Sequence, residues 1–257
     1  MKAGTTSLYN YLDKHPEICL TQPKETHFFI KDNFESKGLK YYSSLFSEPG
    51  KIKGEVCPTY SMHSAWPGVP ERIYKVNPKI KIIYLLRNPV ERLISQLWHA
   101  DITGEINMNT EYLGNDFSLL EKNEAVNTSC YGLQIKEYLK WFPLNQILLI
   151  EQQKLSTRHT IAQIFEFIGV DQTFWHETYD IIYHKSSQGK KNSFGRFIFL
   201  FKFHRILKKI LPLNFYDKIK SQFLTSRVAK PTISPDLNIR LVKYFKVSKY
   251  HRWDIVI

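Results

Sequence analysis

The sequence predicts an α/β protein in which a central parallel sheet is flanked by helices. Two observations support this fold class. Short apolar runs without polar alternation, such as 82–86 and 147–150, are typical of strands buried on both faces of a sheet. Amphipathic segments separate these runs, and strands that alternate with helices form parallel sheets. With 257 residues, of which 43% are hydrophobic, the chain suits one domain, or one domain with an appendage.

Helix and strand signals place the individual elements in chain order. Helices are predicted over 4–15, 38–46, 69–76, 89–99, 130–142 and 158–168, and strands over 18–20, 51–56, 81–86 and 147–150. The first helix opens from a Gly-Thr-Thr-Ser turn and stops before Pro16, whereas the last ends at Gly169. The polar segment 183–195 is predicted to be a loop. It divides the chain into an α/β domain, residues 1–182, and an extension, residues 183–257.

The net charge of +12 is concentrated in the extension. Residues 185–230 carry twelve Lys or Arg against the single acid Asp217, so this segment alone is +11. Such a segment favours polyanions, nucleic acid or an acidic membrane, or it is an ordinary solvated basic helix. Residues 194–211 mix large apolar and basic side chains, so burial on the main domain and peripheral membrane contact both stay open. No specific nucleic acid partner is expected.

The cysteines give no sign of a metal site or a disulfide framework. Cys19, Cys57 and Cys130 lie far apart and are odd in number. The chain shows no signal peptide, and no stretch reaches the roughly 18 apolar residues of a membrane span. We therefore expect a cytoplasmic protein by default, with membrane association left open and no bound metal. The sequence does not indicate an oligomeric state.

A candidate phosphate-binding loop opens the chain. Its six residues are Lys2, Ala3, Gly4, Thr5, Thr6 and Ser7. A helix N-terminus offers backbone N–H groups and a positive dipole end to an anion, and Gly4 allows close backbone approach. The loop differs from a Walker A sequence because its Lys precedes the glycine. Taken alone, an ordinary Ser/Thr helix cap also explains it.

The start of the chain raises a question about the sheet. Phosphate loops of this type normally follow a central strand, and Met1 lies inside the loop. We therefore expect that the first strand is missing from this sequence, which would leave unpaired backbone groups and uncovered apolar helix faces. A lost N-terminal piece is the favoured explanation. A misassigned start, or a fold that manages without the strand, is the alternative.

A second candidate phosphate site follows the best strand signal. Arg87 comes directly after residues 81–86, at the carboxyl edge where open α/β sheets bind ligands. Ser95 lies eight residues later, about two helical turns into the next helix. An Arg fork and a Ser hydroxyl both suit a phosphate. The alternative for Arg87 is an ion pair with Glu91, and for Arg92 we expect a surface ion pair.

Taken together, these segments resemble the family of sulfotransferases that depend on 3′-phosphoadenosine-5′-phosphosulfate (PAPS), most closely its heparan sulfate branch. KAGTTSLYNYLDKHPEI is similar to the 5′-phosphosulfate loop, and LLRNPVERLISQ to the 3′-phosphate motif. PKETHFF resembles the segment that carries the catalytic Glu, and GEVCPTY the following strand. The resemblance covers about residues 1–170. It implies a P-loop-like three-layer fold, here with a basic helical C-terminal arm, and PAPS as donor, 3′-phosphoadenosine-5′-phosphate (PAP) as product and no metal.

The resemblance implies roles for the nucleotide side. Lys2 would contact the bridging and 5′-phosphate oxygens, and Arg87 and Ser95 would bind the 3′-phosphate. The rest of the loop, Ala3, Gly4, Thr5, Thr6 and Ser7, would surround the 5′-phosphosulfate. Tyr131 aligns loosely with a family helix near the nucleotide. Lys190 and Lys191, with Gln188 and Gly189, could cap the 3′-phosphate or adenine, or belong to a basic linker without fixed structure.

On the acceptor side, the resemblance makes Glu25 the catalytic base and places His27 at the acceptor. Either could be the base, since residues two apart in extended chain share a face. Without the resemblance, an ion pair of Glu25 with Lys24 or Lys31 is the expected role. Glu55 orders the site or pairs with a Lys.

One position departs from the heparan branch. Members of that branch often carry Lys after the Glu of the GE strand, and Val56 stands there, so the acceptor need not resemble heparan. The predicted reaction is sulfuryl transfer from PAPS to a hydroxyl or amine of an acceptor, with a carbohydrate favoured. The rivals are a P-loop-type kinase or NTPase, with Glu151 as a weak magnesium ligand, and an inactive polyanion-binding relic.

Overall fold

A computed structural model of the chain describes residues 2–48, 51–103, 106, 123–180, 188–192, 224–229 and 232–247. Its helices are α1 (Thr5–Asp13), α2 (Lys31–Ser44), α3 (Val69–Val76), α4 (Pro89–Thr103), α5 (Glu124–Ser129), α6 (Tyr131–Leu139), α7 (Arg158–Ile168) and α8 (Pro235–Val247). Its strands are β1 (Ile18–Leu20), β2 (Ile52–Gly54), β3 (Ile82–Leu86), β4 (Ile147–Glu151), β5 (Gln188–Asn192) and β6 (Leu224–Ala229).

The strands of the main domain pair in parallel, as the alternation of strands and helices predicts. β1 pairs with β2, and β3 pairs with β4, whereas β5 and β6 are antiparallel. Within the described part of the chain these are separate pairs, and not the one continuous sheet that the sequence predicts. In the second pair, Ile82 lies opposite Ile147 and Leu86 opposite Glu151. The residues that follow β3 and β4 therefore leave the sheet at the same edge.

One apolar core joins the two parallel pairs. It takes Leu20 from β1, Leu85 from β3 and Ile150 from β4, and helices α1 and α7 cover it with residues such as Leu8 and Ile164. Burying a Leu or Ile side chain fully stabilises a fold by about 1.5–3 kcal/mol. The apolar stripes of α1 and α7 therefore fix where the loop before α1 stands relative to the ends of the strands.

A second core brings the C-terminal helix onto the main domain. Leu241 and Phe245 of α8 pack with Leu93 and Leu97 of α4 and with Val126 of α5. The backbone of β5 also runs beside α4. The boundary between residues 182 and 183 stays a prediction.

Most predicted elements are confirmed within a few residues at each end. The helix predicted over 38–46 is wrong in its start, because α2 begins at Lys31 and Gly38 interrupts it with φ 70° and ψ 168°. None of its residues is buried, so it lacks the apolar stripe that marks a helix in sequence.

The loop predicted over 183–195 is wrong for residues 188–192. This polar stretch forms β5 because it pairs with β6, which the local sequence does not reveal. Residues 194–211, for which membrane contact and burial were both open, lie outside the described residues. In the part of the chain that is described, no helix has the length and apolar character needed to span a bilayer.

Candidate functional site

The loop of residues 2–7 opens α1 without a side-chain cap. The N-cap residue is Gly4, with φ 92° and ψ 14°, and no side chain accepts a hydrogen bond at this helix start. The alternative of an ordinary Ser/Thr cap is therefore wrong. A Cβ at Gly4 would meet Gln152 Cγ at 3.0 Å, so a larger residue would have to displace the Gln152 side chain and also adopt a φ that favours glycine. The first turn of α1 is arranged to receive an anion.

Lys2 joins the loop to the strand that carries Arg87. Its backbone carbonyl accepts a hydrogen bond from Arg87 Nη1 at 3.2 Å, although 85 residues separate the two. Lys2 has a positive φ of 62°, and burial lowers the pKa of its ammonium group. We call residues 2–7 together with Arg87 the phosphate-loop edge. The two predicted phosphate-binding motifs thus meet at one place.

The side chain of Arg87 also makes the ion pair that the sequence left open. Arg87 Nε and Nη2 donate to Glu91 Oε2 at 3.2 and 3.0 Å. The Glu91 side chain is 53% exposed, and exposed ion pairs contribute about 0–1 kcal/mol. A phosphate could therefore replace Glu91 as the partner of Arg87 at low cost.

Tyr131 lies directly behind this arginine, and its assignment to the nucleotide side stays a prediction. Its hydroxyl accepts a hydrogen bond from the backbone N–H of Arg87 at 3.1 Å. Burial raises the pKa of Tyr131, which keeps the phenol protonated around neutral pH. This hydrogen bond fixes the turn between β3 and α4, and it holds the backbone of Arg87 in place.

Ser95 occupies a buried position on α4. Its hydroxyl has no hydrogen-bond partner among the described residues. A buried polar group without a partner costs about 1–3 kcal/mol, so each such group calls for an explanation. Ligand binding is one explanation, since Ser95 lies on α4, the helix that follows the turn with Arg87. The side chains of Lys190 and Lys191 are outside the described atoms, although the backbone of β5 runs beside α4.

The surface ion pair expected for Arg92 is wrong. Arg92 is 1% exposed, and its guanidinium donates to Ala125 O at 3.0 Å, Ser129 Oγ at 2.6 Å and Gln96 Oε1 at 2.6 Å. Desolvation lowers the pKa of Arg92. The reason is that α5 and α8 both pack on α4, so few of its positions face solvent.

Glu25 lies in the segment between β1 and α2, and its carboxylate is 35% exposed. Lys24 Nζ donates to Glu25 Oε1 at 2.8 Å, which is the ion pair expected from the sequence alone. His27 lies two residues on, with a positive φ of 53° and its Nδ1 3.7 Å from Cys57 Sγ. Since the chain is not extended at His27, the argument that Glu25 and His27 share a strand face does not apply. We call residues 24–30 the Glu25 segment.

Glu55 orders the Glu25 segment, which decides between the two roles left open for it. Glu55 Oε1 accepts hydrogen bonds from Thr26 N–H at 3.0 Å, Thr26 Oγ1 at 2.6 Å and Tyr60 OH at 2.9 Å. Glu55 Oε2 accepts one from Tyr42 OH at 2.9 Å. No Lys lies within ion-pair distance of Glu55 among the residues that the structure describes. Its network is made of neutral donors.

The charge of Glu55 affects the acid groups around it. Burial, and then Glu55, raise the pKa of Tyr42 and of Tyr60, so both phenols stay protonated and keep donating. The same two causes raise the pKa of the Cys57 thiol to about 11. Val56 points away from this site into the main core. The position that carries Lys in the heparan branch therefore belongs to the core here.

Sequence reasoning missed the cavity at the ends of β3 and β4. It has a volume of about 300 Å³ and is lined by Arg87 and Asn88 on one side, Gln152 on another, and Phe245 and Lys246 of α8 on a third. Gln152 could have been found, because it follows β4 at the edge where Arg87 follows β3. The contribution of α8 depends on tertiary packing that no local pattern predicts.

In the described ranges, neither the carboxylate of Glu151 nor any cluster of possible metal ligands supports a magnesium site. Glu151, the weak magnesium ligand of the kinase alternative, is 53% exposed and paired with Lys154 at 3.1 Å. No group of three or more His, Cys, Asp or Glu side chains suited to a metal occurs in those ranges.

Comparison with known proteins identifies the family. Heparan sulfate glucosamine 3-O-sulfotransferase 5 from Mus musculus is 30% identical over 215 residues, which cover 74% of this chain and 61% of that protein. The bifunctional heparan sulfate N-deacetylase/N-sulfotransferase 4 from Mus musculus is 30% identical over 189 residues, 66% of this chain and 21% of that protein. The chain thus spans less than two thirds of the length of these relatives.

A solved structure supports the fold. The crystal structure of a sulfotransferase from Alicyclobacillus acidocaldarius superposes with a TM-score of 0.58 at 22% identity, covering 84% of this chain and 95% of that one. The family profile described as "Sulfotransferase domain" matches residues 1–223. The match spans both phosphate motifs and the Glu25 segment, and the chain therefore belongs to the sulfotransferase domain family.

Proposed function

We propose that this protein transfers a sulfuryl group from PAPS to a hydroxyl or amine of a carbohydrate acceptor. The observation that carries the proposal is the hydrogen bond between Arg87 and the carbonyl of Lys2, which unites an anion-binding helix start with a phosphate-binding arginine. A nucleotide with phosphates at both its 5′ and 3′ positions needs two such groups near one another. The named relatives act on heparan sulfate, which supports a carbohydrate acceptor.

The phosphate-loop edge would bind the donor and stabilise the leaving group. In the reaction the acceptor atom bonds to sulfur, and the bond from sulfur to the 5′-phosphate oxygen breaks, leaving PAP. Negative charge grows on that oxygen, where Lys2 and the first N–H groups of α1 would stabilise it. Burial lowers the pKa of Lys2, and a bound anion would favour the charged form of its ammonium group. Arg87 and Ser95 would bind the 3′-phosphate.

Glu25 would accept the proton that the acceptor loses. Its carboxylate is partly exposed, so an acceptor hydroxyl can approach to hydrogen-bond distance. The proton would pass to Glu25 as the bond to sulfur forms. His27 would line the acceptor side. Such general base catalysis contributes typically about 100- to 10,000-fold to a rate.

Several finer features remain part of this proposal. They are a P-loop-like three-layer arrangement of helices around parallel strands and, for the basic residues 194–211, either burial on the main domain or peripheral membrane contact. Lys190 and Lys191 would cap the 3′-phosphate or adenine from β5.

Calorimetric titration with PAP in the absence of metal tests the donor site. We expect the wild type to bind and Arg87→Ala to lose most of the affinity, because a charge-assisted contact with phosphate disappears. Arg240→Ala is the matched control, since Arg240 forms an exposed ion pair with Asp236 four residues earlier on α8, like Arg87 with Glu91. A folded wild type that binds neither PAP nor PAPS would contradict the proposal, and binding of ATP with magnesium would favour the kinase alternative.

A screen of acceptors then tests the reaction. PAPS is offered with a desulfated heparan sulfate oligosaccharide and with a neutral amino-sugar oligosaccharide, and transfer is detected by mass as the gain of one SO₃ group. Transfer to either supports the proposed activity. Binding of PAP without transfer to any carbohydrate would leave an inactive binder, the relic alternative, as the better description.

A further inference from the structure

The Glu25 segment has a strained backbone at His27. Its φ of 53° lies in the left-handed region, which residues with a Cβ adopt rarely and only where the surrounding structure holds them there. Strain of this kind is concentrated at functional sites. The described contacts show what holds it, and they lie on both sides of His27.

Before His27, the holding group is Glu55. Its Oε1 binds both the N–H and the hydroxyl of Thr26, and the Thr26 hydroxyl in turn accepts from Phe28 N–H at 3.0 Å. Residues 26 and 28 are thus tied to one carboxylate, with His27 between them. Hydrogen bonds to a charged acceptor are stronger than neutral ones, so this is a firm attachment.

After His27, the holding group is Asn33 in the first turn of α2. Asn33 Nδ2 donates to the carbonyl of His27 at 2.9 Å, and the backbone N–H of Ile30 donates to the same oxygen at 3.2 Å. The peptide that follows His27 is therefore fixed to the start of a helix. Among the described residues, neither Glu55 nor Asn33 forms a hydrogen bond with the Glu25 carboxylate.

We infer that Glu55 and Asn33 are positioning residues that act as a two-sided clamp on the Glu25 segment. The inference rests on the proposed function, because it assigns them the task of holding Glu25 and His27 where the acceptor binds. They act through the backbone of Thr26 and His27. A displacement of about 1 Å at a reacting group can cost about 100-fold in rate, which is why such a clamp would matter.

Alkylation of Cys57 by iodoacetamide tests the clamp without any acceptor. Cys57 lies 3.7 Å from His27 and is partly buried, so release of the segment exposes it, whereas Cys19 and Cys130 are buried elsewhere. Two variants weaken the clamp: Asn33→Ala removes the contact with the His27 carbonyl, and Tyr42→Phe removes a hydroxyl that donates to Glu55 Oε2. Both keep the charge of Glu55, so its influence on the pKa of Cys57 is kept. We expect Cys57 to react about fivefold faster in both variants, with Cys19 and Cys130 unchanged.

Ser36→Ala is the matched control, because Ser36 lies on the same helix and its hydroxyl donates to the carbonyl of Asp32, its one hydrogen bond among the described residues. It should leave all three rates as in the wild type. Equal acceleration at all three cysteines would mean general destabilisation and would overturn the inference. An unchanged rate at Cys57 in both clamp variants would overturn it as well.

Kinetics provide the second readout. With an acceptor from the screen, Glu55→Gln and Asn33→Ala should lower kcat about 10- to 100-fold, while the KM for PAPS and the Kd for PAP stay within about twofold. A parallel loss of PAP affinity would indicate a general structural role and refute the clamp. A wild type that fails to bind PAP contradicts the proposed function instead, and the Cys57 rates still decide the clamp.

Discussion

At the phosphate-loop edge, the groups offered to a ligand belong mainly to the backbone and to the ends of regular elements. They are the open start of α1 and the first residue after β3. In the Glu25 segment, by contrast, side chains from separate parts of the chain hold a short irregular stretch, through Glu55, Tyr42, Tyr60 and Asn33. On the proposed function, the difference teaches that a fold can supply anion binding with the ends of its helices and strands, whereas placing a base requires dedicated polar contacts.

The sharpest way to separate the two regions is Glu25→Gln. We expect kcat to fall by about 100- to 10,000-fold, because the amide cannot take up the acceptor proton. PAP binding should be unchanged, since Glu25 lies outside the phosphate-loop edge. Transfer assays and calorimetry on the same preparation measure both quantities. Retention of more than a tenth of the wild-type kcat would assign the base to another residue, with His27 the first to examine.

Alkaline pH should weaken the phosphate-loop edge alone. Burial lowers the pKa of Lys2, so in the free protein this ammonium loses its proton below the pH at which an ordinary Lys titrates, about 10.4. The affinity for PAP should then fall about 10- to 100-fold as the pH rises through that pKa, since a charge-assisted contact is lost. Lys2→Arg should bind PAP without this fall. Titrations across the alkaline range, with folding checked by circular dichroism, would reveal it.

Gly4→Ala should weaken PAP binding at the phosphate-loop edge through a steric clash and not through a change of charge. A methyl group would meet Gln152 Cγ at 3.0 Å, and the residue would keep a φ of 92° that alanine adopts only with strain. We expect the affinity for PAP to fall about tenfold, and the free energy of unfolding to fall by about 1 kcal/mol or more. Gly38→Ala is the control, since Gly38 also has a positive φ but no atom within 4 Å of its added Cβ. Equal losses of PAP affinity in both variants would show that close approach at Gly4 is unimportant.

The smallest expected effect concerns Glu91. Its exposed ion pair competes with a ligand for Arg87, so Glu91→Gln should raise PAP affinity by up to about fivefold, the equivalent of about 1 kcal/mol. The gain should shrink with added salt, because exposed charges are screened. A loss of affinity would mean that Glu91 holds Arg87 in its binding orientation.

The sequence predicts the phosphate-loop edge better than it predicts the contacts of the Glu25 segment. The loop of residues 2–7 and the turn at Arg87 were predicted because each is contiguous, and their meeting follows from the rule that ligands bind at the carboxyl edge of parallel strands. The sequence also selected Glu25 and Glu55, through a family resemblance. It left the role of Glu55 open, because Thr26 lies 29 residues away and its contact depends on how the chain folds.

The incorrect predictions share a cause. Arg92 was expected in a surface ion pair, because charged side chains are mostly exposed, and α5 and α8 bury it. The first half of α2 lacks an apolar stripe, and β5 exists through its pairing with β6. For Arg92 and β5 the deciding partner is distant in sequence, and for α2 the apolar stripe is missing, so propensity and periodicity carry no signal for any of them.

The cavity at the ends of β3 and β4 takes one wall from α8, the last described element of the chain. This wall forms only when α8 has been synthesised and has docked on α4, which is later than the synthesis of β3 and β4, so the cavity stays incomplete until then. A ligand that fills the cavity binds only the docked helix, and at 100 times its Kd it would hold that helix in place by about 2.7 kcal/mol. On the proposed function, the supply of donor would then govern how long α8 of a newly made chain stays undocked and exposed to proteases.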